Sequence, residues 1–314
     1  MVRVVTGGGA LVVVGDVVTD MVALHGSPVM PGSDAAAEIV LRPGGSGANT
    51  AAWAARLGAE VRLLSRLGYD SSEWHLGELV RSGVRPHVAV DTDEPTAVVI
   101  AMVDKSGERT MLTHRGAGGL ISEADWDPRV LDGAGLLHLS GYVLFAPRGL
   151  ELARRAMADA AAAGVPISVD PSSTGPLREF GVERFLRKTA PAGLIIPNLD
   201  EALLLTGATT AERAAVVLSE TYGTAVVKMG ADGALAAVDG SVVATAAGLT
   251  AEVVDSTGAG DAFAAGFLTA ALQGAGEAAA LEAGCRAGAE CVAQVGGRPR
   301  YGLDLNRLYP IHTD

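Results

Sequence analysis

Short apolar runs of β type alternate with Ala- and Leu-rich helical runs along most of this chain, and that alternation limits its fold more than any other feature. Strand-like segments stand at Leu11 to Gly15, Val61 to Leu64, Gly135 to Leu139, Pro166 to Val169, Leu194 to Ile196 and Ala225 to Lys228. Strands that are apolar on both sides and separated by helices require a mostly parallel sheet covered on both faces, an α/β architecture. The segment Pro147 to Ala163 reads as one such helix, with Pro at its start and Gly164 at its end. A length of 314 residues, 49% of them hydrophobic, can bury one large core, so one domain is expected over 1–314. The alternation breaks at Ser33 to Leu41, and again at Thr96 to Met102 followed by Arg109 to Thr113. There strands follow one another without a helix, and Asp104-Lys105-Ser106-Gly107 reads as a hairpin turn. These pieces, around 33–42 and 96–114, predict a small sheet standing away from the main one.

Charge excludes several functions. With 24 Lys plus Arg against 36 Asp plus Glu, the net charge of -12 opposes a general nucleic-acid or anionic-membrane surface. Only two cysteines occur, Cys285 and Cys291, six residues apart in a helical stretch, so neither a disulfide framework nor a zinc site follows. The apolar run Ala10 to Gly15 is too short for a signal peptide, and no stretch reaches the length of a membrane span. A cytoplasmic location is expected. No Gly-x-Gly-x-x-Gly follows the first strand, and no Walker-type phosphate loop is present, which argues against a nicotinamide-dependent dehydrogenase.

The chemistry concentrates in Asp255-Ser256-Thr257-Gly258-Ala259-Gly260-Asp261, which runs into the apolar segment Ala262 to Phe267. Small residues there let several backbone N–H groups surround one oxyanion, and a helix N-terminus favours negative charge. Asp261 in the first turn is suited to take a proton from a hydroxyl held beside a cradled phosphate. A dipole partner or cap is the plainer alternative. A second Gly-rich approach, Arg42-Pro43-Gly44-Gly45-Ser46-Gly47-Ala48-Asn49, opens another helix. Its glycines let a ligand lie close to the backbone, and the Asn49 amide both donates and accepts, as neighbouring sugar hydroxyls require. The alternative is an ordinary loop with Ser46 as N-cap.

Together these segments resemble the ribokinase-like, or phosphofructokinase B type, carbohydrate kinases. Gly44 to Asn49 matches the family's N-terminal signature and Asp255 to Asp261 its C-terminal one, with Ser256 as a variant. Asn198-Leu199-Asp200-Glu201 fits its Asn-x-x-Glu motif. Gly15 to Asp20, Gly107 to Met111 and Lys228 to Gly233 add ordered support from about Val12 to Gly297. The resemblance implies a three-layer α/β/α fold with a mostly parallel central sheet and a small β lid that covers the sugar and excludes water.

It also implies roles. Asp261 would be the general base in transfer of the γ-phosphate of ATP, and the amides of Gly258, Ala259, Gly260 and Asp261 the anion hole. Asn198 and Glu201 would act on Mg²⁺ through water, although from the residues alone a helix cap and capping box is the first reading, and the two roles can coexist. Asp20, with Asp16 as its neighbour, would hold acceptor hydroxyls at the edge of the sheet, joined by Gly44, Gly45, Asn49, Arg115 and Asp170. Lys228, Gly230, Gly233 and Thr257 fall on the nucleotide side. Asp255 and Thr257 would also suit a monovalent cation, potassium in several relatives.

Substrate identity stays open at this level. Val18 stands where ribose kinases carry Asn, and Asp170-Pro171-Ser172-Ser173-Thr174 departs from the Asp-Pro-Asn-x-Arg of keto-deoxygluconate kinases. Aromatic content of 4% offers few rings for a nucleobase, favouring a sugar over a nucleoside. A nucleoside kinase, and a non-catalytic sugar or nucleotide sensor on the same fold, remain the alternatives. Exposed lid edges would allow two chains to pair as a homodimer.

Overall fold

The computed structural model describes residues 8–26, 29–103 and 109–300. The first part of the chain supplies β1 (Ala10–Val14), β2 (Val18–His25), β3 (Ala37–Gly44), α1 (Ser46–Arg56), β4 (Val61–Gly68), α2 (Ser72–Arg81), β5 (Val84–Asp91), β6 (Ala97–Val103) and β7 (Arg109–His114). The middle supplies β8 (Ala134–Ser140), α3 (Gly141–Leu144), α4 (Pro147–Ala162), β9 (Ile167–Asp170), α5 (Thr174–Phe180), α6 (Val182–Thr189), β10 (Leu194–Ile195), α7 (Leu199–Thr206) and α8 (Ala211–Tyr222). β11 (Thr224–Lys228), β12 (Ala234–Val238), β13 (Ser241–Ala246), α9 (Ala259–Leu272) and α10 (Glu277–Val292) complete it.

Among the described residues, nine strands form the main sheet in the order β13-β12-β11-β10-β9-β8-β1-β4-β5. Pairing is parallel from β11 to β5 and antiparallel where β12 and β13 are added. Every residue of β1 is buried, because its alternate side chains enter different cores. Leu11 and Val13 pack with Trp53 of α1 and Phe263 and Phe267 of α9. Val12 and Val14 join Leu152 and Ala156 of α4 and Leu218 of α8 on the other face. Helices thus cover both sides of the sheet, as the alternation predicts.

The structure adds strands that the periodicity does not reveal. β5 carries Arg85, Pro86 and His87 and can do so because it lies at an edge, where proline breaks no central ladder. β12 and β13 form a hairpin around Asp239 and Gly240, whose φ values of 46° and 80° suit a tight turn of mirror-image type.

The lid is a separate sheet, of four strands among the described residues, in the order β3-β2-β6-β7. Two expectations need correction here. The strand expected from Ser33 begins only at Ala37, opposite His25, and continues to Gly44, so Arg42 and Gly44 belong to the lid. Asp20 does not follow the first strand at the edge of the main sheet; it stands on β2, inside the lid sheet, paired with Arg42 and Val99. Val18 to His25 carries Thr19 and Asp20 side by side and then four apolar residues in a row, so no period-2 pattern marks it as a strand, and its pairing with β3 and β6 decides it. The expected turn at 104–107 lies outside the described residues. Among the described residues, no helix is long and apolar enough to cross a membrane.

Candidate active site

A cavity of about 1250 Å³ opens between the lid and the C-terminal ends of the central strands. Its walls include Asp16, Asp20, Gly45, Asn49, Arg115, Asp170, Asn198, Glu201, Lys228, Gly230, Gly233, Asp255, Thr257 and the run Gly258 to Asp261. Sequence positions as far apart as 16 and 261 therefore share one space. Of the expected site residues only Gly44 lies outside this wall, for a clear reason. A Cβ on Gly44 would sit 2.0 Å from Asp20 Oδ2, so its missing side chain makes room for the Asp20 carboxylate.

The centre of the site is Asp261, in the first turn of α9. Ser46 Oγ donates to Asp261 Oδ1 at 2.8 Å and Asn49 Nδ2 donates to Asp261 Oδ2 at 2.9 Å. Both donors come from the start of α1, so the two Gly-rich segments meet on one carboxylate. Burial raises the Asp261 pKa to about 7, against the opposing effect of the Asn49 and Ser46 hydrogen bonds, with nearby Asp170 adding to the rise. Ser46 is not the N-cap of α1; Gly45 occupies that place with φ 96°, and the Ser46 hydroxyl is free to cross to α9.

The approach to α9 is an amide nest. Gly258 has φ 75°, and a Cβ there would meet the Cα of Gly297 at 2.5 Å, so no other residue fits. The Ala259 amide is partly spent on the Ser256 carbonyl at 3.3 Å, whereas those of Gly258, Gly260 and Asp261 find no acceptor among the described residues. Asp255 ties the loop down by accepting from Thr257 N and Gly296 N, each at 2.9 Å. Those contacts give Asp255 a defined role in shaping the nest. Beside it the Val292 carbonyl already accepts from the amides of Val254 and Asp255.

Asp16 serves α1 directly, accepting from Ser46 N and Gly47 N at 3.3 and 3.2 Å. Its pKa is raised by burial, against those amides. Asp20 is pushed up to about 7 by burial and by Asp16, with Arg298 pulling the other way. Arg298, 7% exposed, donates from Nη2 to the Gly44 carbonyl at 2.9 Å. Residues 296–298 thereby touch α1, the lid and the nest together, since Trp53 Nε1 also donates to the Gly297 carbonyl at 2.9 Å. The sequence does not single out Arg298, Ser46 as an Asp261 partner, or Tyr142 and Arg42, which also line the cavity; the pair Gly296-Gly297 ahead of Arg298 is the available signal. Arg115 is exposed at the end of β7 and also borders a smaller cleft with Phe180 and Arg184.

Asn198 and Glu201 form a complete capping box on α7. Asn198 Oδ1 accepts from Glu201 N, and Glu201 accepts from Asn198 N and Nδ2, all at 2.9 Å. Glu201 is nonetheless part of the cavity wall, and burial with Asp170 nearby raises its pKa to about 7. Asp170 accepts from Lys228 Nζ at 2.5 Å, which pairs it with Lys228 rather than with Asp20. Among the described residues no cluster of three or more His, Cys, Asp or Glu could hold a metal alone. Buried carboxylates bordering a cavity fit a Mg²⁺ that draws most of its oxygens from phosphate and water. His75 and His138, bonded to Thr19 and Ser168, lie outside this wall.

Residues 9–300 match the family described as pfkB family carbohydrate kinase. A fructokinase of Escherichia coli is 31% identical over 267 residues, covering 82% of each chain. A ribokinase of Haemophilus influenzae is 29% identical over 241 residues, 73% of this chain and 74% of that one. Among solved structures, adenosine kinase from Sinorhizobium meliloti superposes with a TM-score of 0.85 at 23% identity, over 97% of this chain and 100% of that one. The chain therefore belongs to the pfkB family of carbohydrate kinases, phosphotransferases that act on an alcohol group.

Proposed function

We propose that this protein transfers the γ-phosphate of ATP to a hydroxyl of a small carbohydrate, with Asp261 as general base. The observation that carries the reading is the Asp261 carboxylate itself, gripped by Ser46 and Asn49 at the mouth of α9 beside amides that find no acceptor among the described residues. A base working near neutral pH is most effective with a pKa close to that pH, and burial brings Asp261 to about 7.

The acceptor hydroxyl would give its proton to Asp261 as its oxygen bonds to the γ-phosphorus. The amides of Gly258, Gly260 and Asp261 would receive the charge of the moving group, the largest contribution expected in such transfers. Asp20 and Asn49 would orient the acceptor, with Arg115 and Gly45 bordering it. Gly230 and Gly233 would let the nucleoside part of ATP lie against the backbone. Mg²⁺ bound with ATP supplies neutralisation of phosphate charge, and Asn198 and Glu201 would hold it through its water ligands. The inner lid face sets Val18, Val22, Val99 and Ala101 around Asp20 and Arg42, an apolar surround suited to exclude water, the competing acceptor. Its outer face carries Leu41, Met21, Ile100 and Leu112 in one register row, a surface suited to a second copy of this chain.

A coupled ADP-release screen over pentoses, hexoses, keto-deoxy acids and nucleosides tests the function. On the best acceptor, Asp261→Asn should lower kcat at least about 10²-fold with acceptor binding retained. Wild-type turnover by folded Asp261→Asn would remove Asp261 from this role. Ligand-dependent thermal shifts without any phosphorylated product would favour a sensor.

A further inference from the structure

The kinase reading above leaves one buried cation of the cavity without a task, and the following inference rests on that reading. Asp170, Glu201 and Asp261 bring three carboxylates to the nucleotide side, and Lys228 stands among them. Its side chain leaves the C-terminal end of β11, is 9% exposed as a residue, and bonds Asp170 at the end of β9. A Cβ on Gly260 would lie 3.4 Å from Lys228 Nζ, so the ammonium lies against the first turn of α9. The amides of Gly260 and Asp261 belong to that same turn.

An ammonium carries three donors, and buried donors require partners. Asp170 takes one of them, and no second acceptor for Lys228 occurs among the described residues. Two donors are left for whatever fills the cavity. Arg42 and Arg115, the other cations of the wall, stand on lid strand β3 and just after β7, away from this turn. Burial works against the charge on Lys228, but Asp170, Glu201 and Asp261 outweigh it and raise its pKa, so the group stays cationic.

We propose that Lys228 is a catalytic residue, its ammonium donating hydrogen bonds to the phosphoryl group in flight, and that Asp170 is its positioning residue rather than a contact for the acceptor. In the step, the acceptor oxygen bonds to the γ-phosphorus and its proton passes to Asp261. The bond from the γ-phosphorus to the β,γ-bridging oxygen breaks, and its electron pair leaves with ADP. Lys228 neither gains nor loses a proton.

The opposing possibility is a buried ion pair that only joins the ends of β9 and β11. Lys228→Met and the double variant Lys228→Met/Asp170→Asn separate the two. The double variant removes both charges, so no lone buried carboxylate is left to unfold the strand ends. We expect kcat to fall about 10²- to 10³-fold in both, the range for loss of one oxyanion donor, with acceptor KM changed by less than about threefold. Calorimetric titration should show the preference for β,γ-methylene ATP over ADP falling about tenfold in both variants. A double variant with wild-type kcat and unchanged nucleotide preference would overturn the proposal. A wild-type protein that phosphorylates no acceptor would sink the kinase reading instead, while the nucleotide titration would still decide the role of Lys228.

Discussion

Replacing Ser46 by alanine should move the acid limb of the rate profile by an amount the structure allows to be worked out. The Ser46 hydroxyl donates to Asp261 Oδ1 at 2.8 Å, and this bond holds the Asp261 pKa down against burial. Hydrogen bonds to charged groups contribute about 1.5–3 kcal/mol. The Asp261 residue still opens partly onto the cavity, so the lower end applies, about 1.5 kcal/mol, which is roughly one pKa unit. The acid limb of kcat/KM for the acceptor would then rise from about 7 in the wild type to roughly one unit higher in Ser46→Ala. At pH 7 the ionised fraction drops from about one half to about one tenth, a roughly fivefold loss of rate that should vanish near pH 9. A coupled assay from pH 5.5 to about 9.5 at saturating MgATP measures it. A loss of rate independent of pH, or a limb that moves downward, would refute the assignment of Asp261 as base and Ser46 as its partner.

Other outcomes follow from the same geometry. Gly258→Ala forces a side chain into φ 75° and against Gly297, so about 1–2 kcal/mol of backbone cost should accompany at least a tenfold loss of kcat; an active, equally stable variant would show that the nest does not depend on this close approach. Asp20, Glu201 and Asp261 have folded pKa values raised to about 7 from 3.8, 4.5 and 3.8, so their contribution to stability is complete at low pH and is lost as pH rises through about 7. His75 and His138, lowered by burial from 6.5 to about 3 and about 4, act in the opposite sense only below 6.5. The melting temperature of the ligand-free protein should therefore fall between about pH 6.5 and 8.5, and a rise over that window would contradict these environments. Charge placed in the outer lid row by Leu41→Lys/Leu112→Lys should convert a dimer to a monomer in light scattering; a wild-type monomer would end that proposal.

Much of this protein is legible without coordinates. Alternation of buried strands with helices specifies a parallel sheet covered on both faces, because nothing else buries strands such as Ala10–Val14 on both sides. The small residues from Gly258 to Asp261 announce an anion nest, since φ 75° and a 2.5 Å approach to Gly297 tolerate only glycine. What remained hidden are pairings between distant segments. Local pattern cannot show that Asp20 lies in a lid strand opposite Arg42, or that Val84–Asp91, with its proline, forms an edge. It leaves Ser46 looking like a cap, and it shows neither that the Ser46 hydroxyl donates to a carboxylate 215 positions away nor that Asp170 pairs with a lysine 58 positions away. Short-range chemistry sets backbone conformation and helix ends, so the residues disclose these directly. Hydrogen-bond partners and pKa values depend on which chain segments the sheet brings together and on the water that packing removes, and those are properties of the assembled fold.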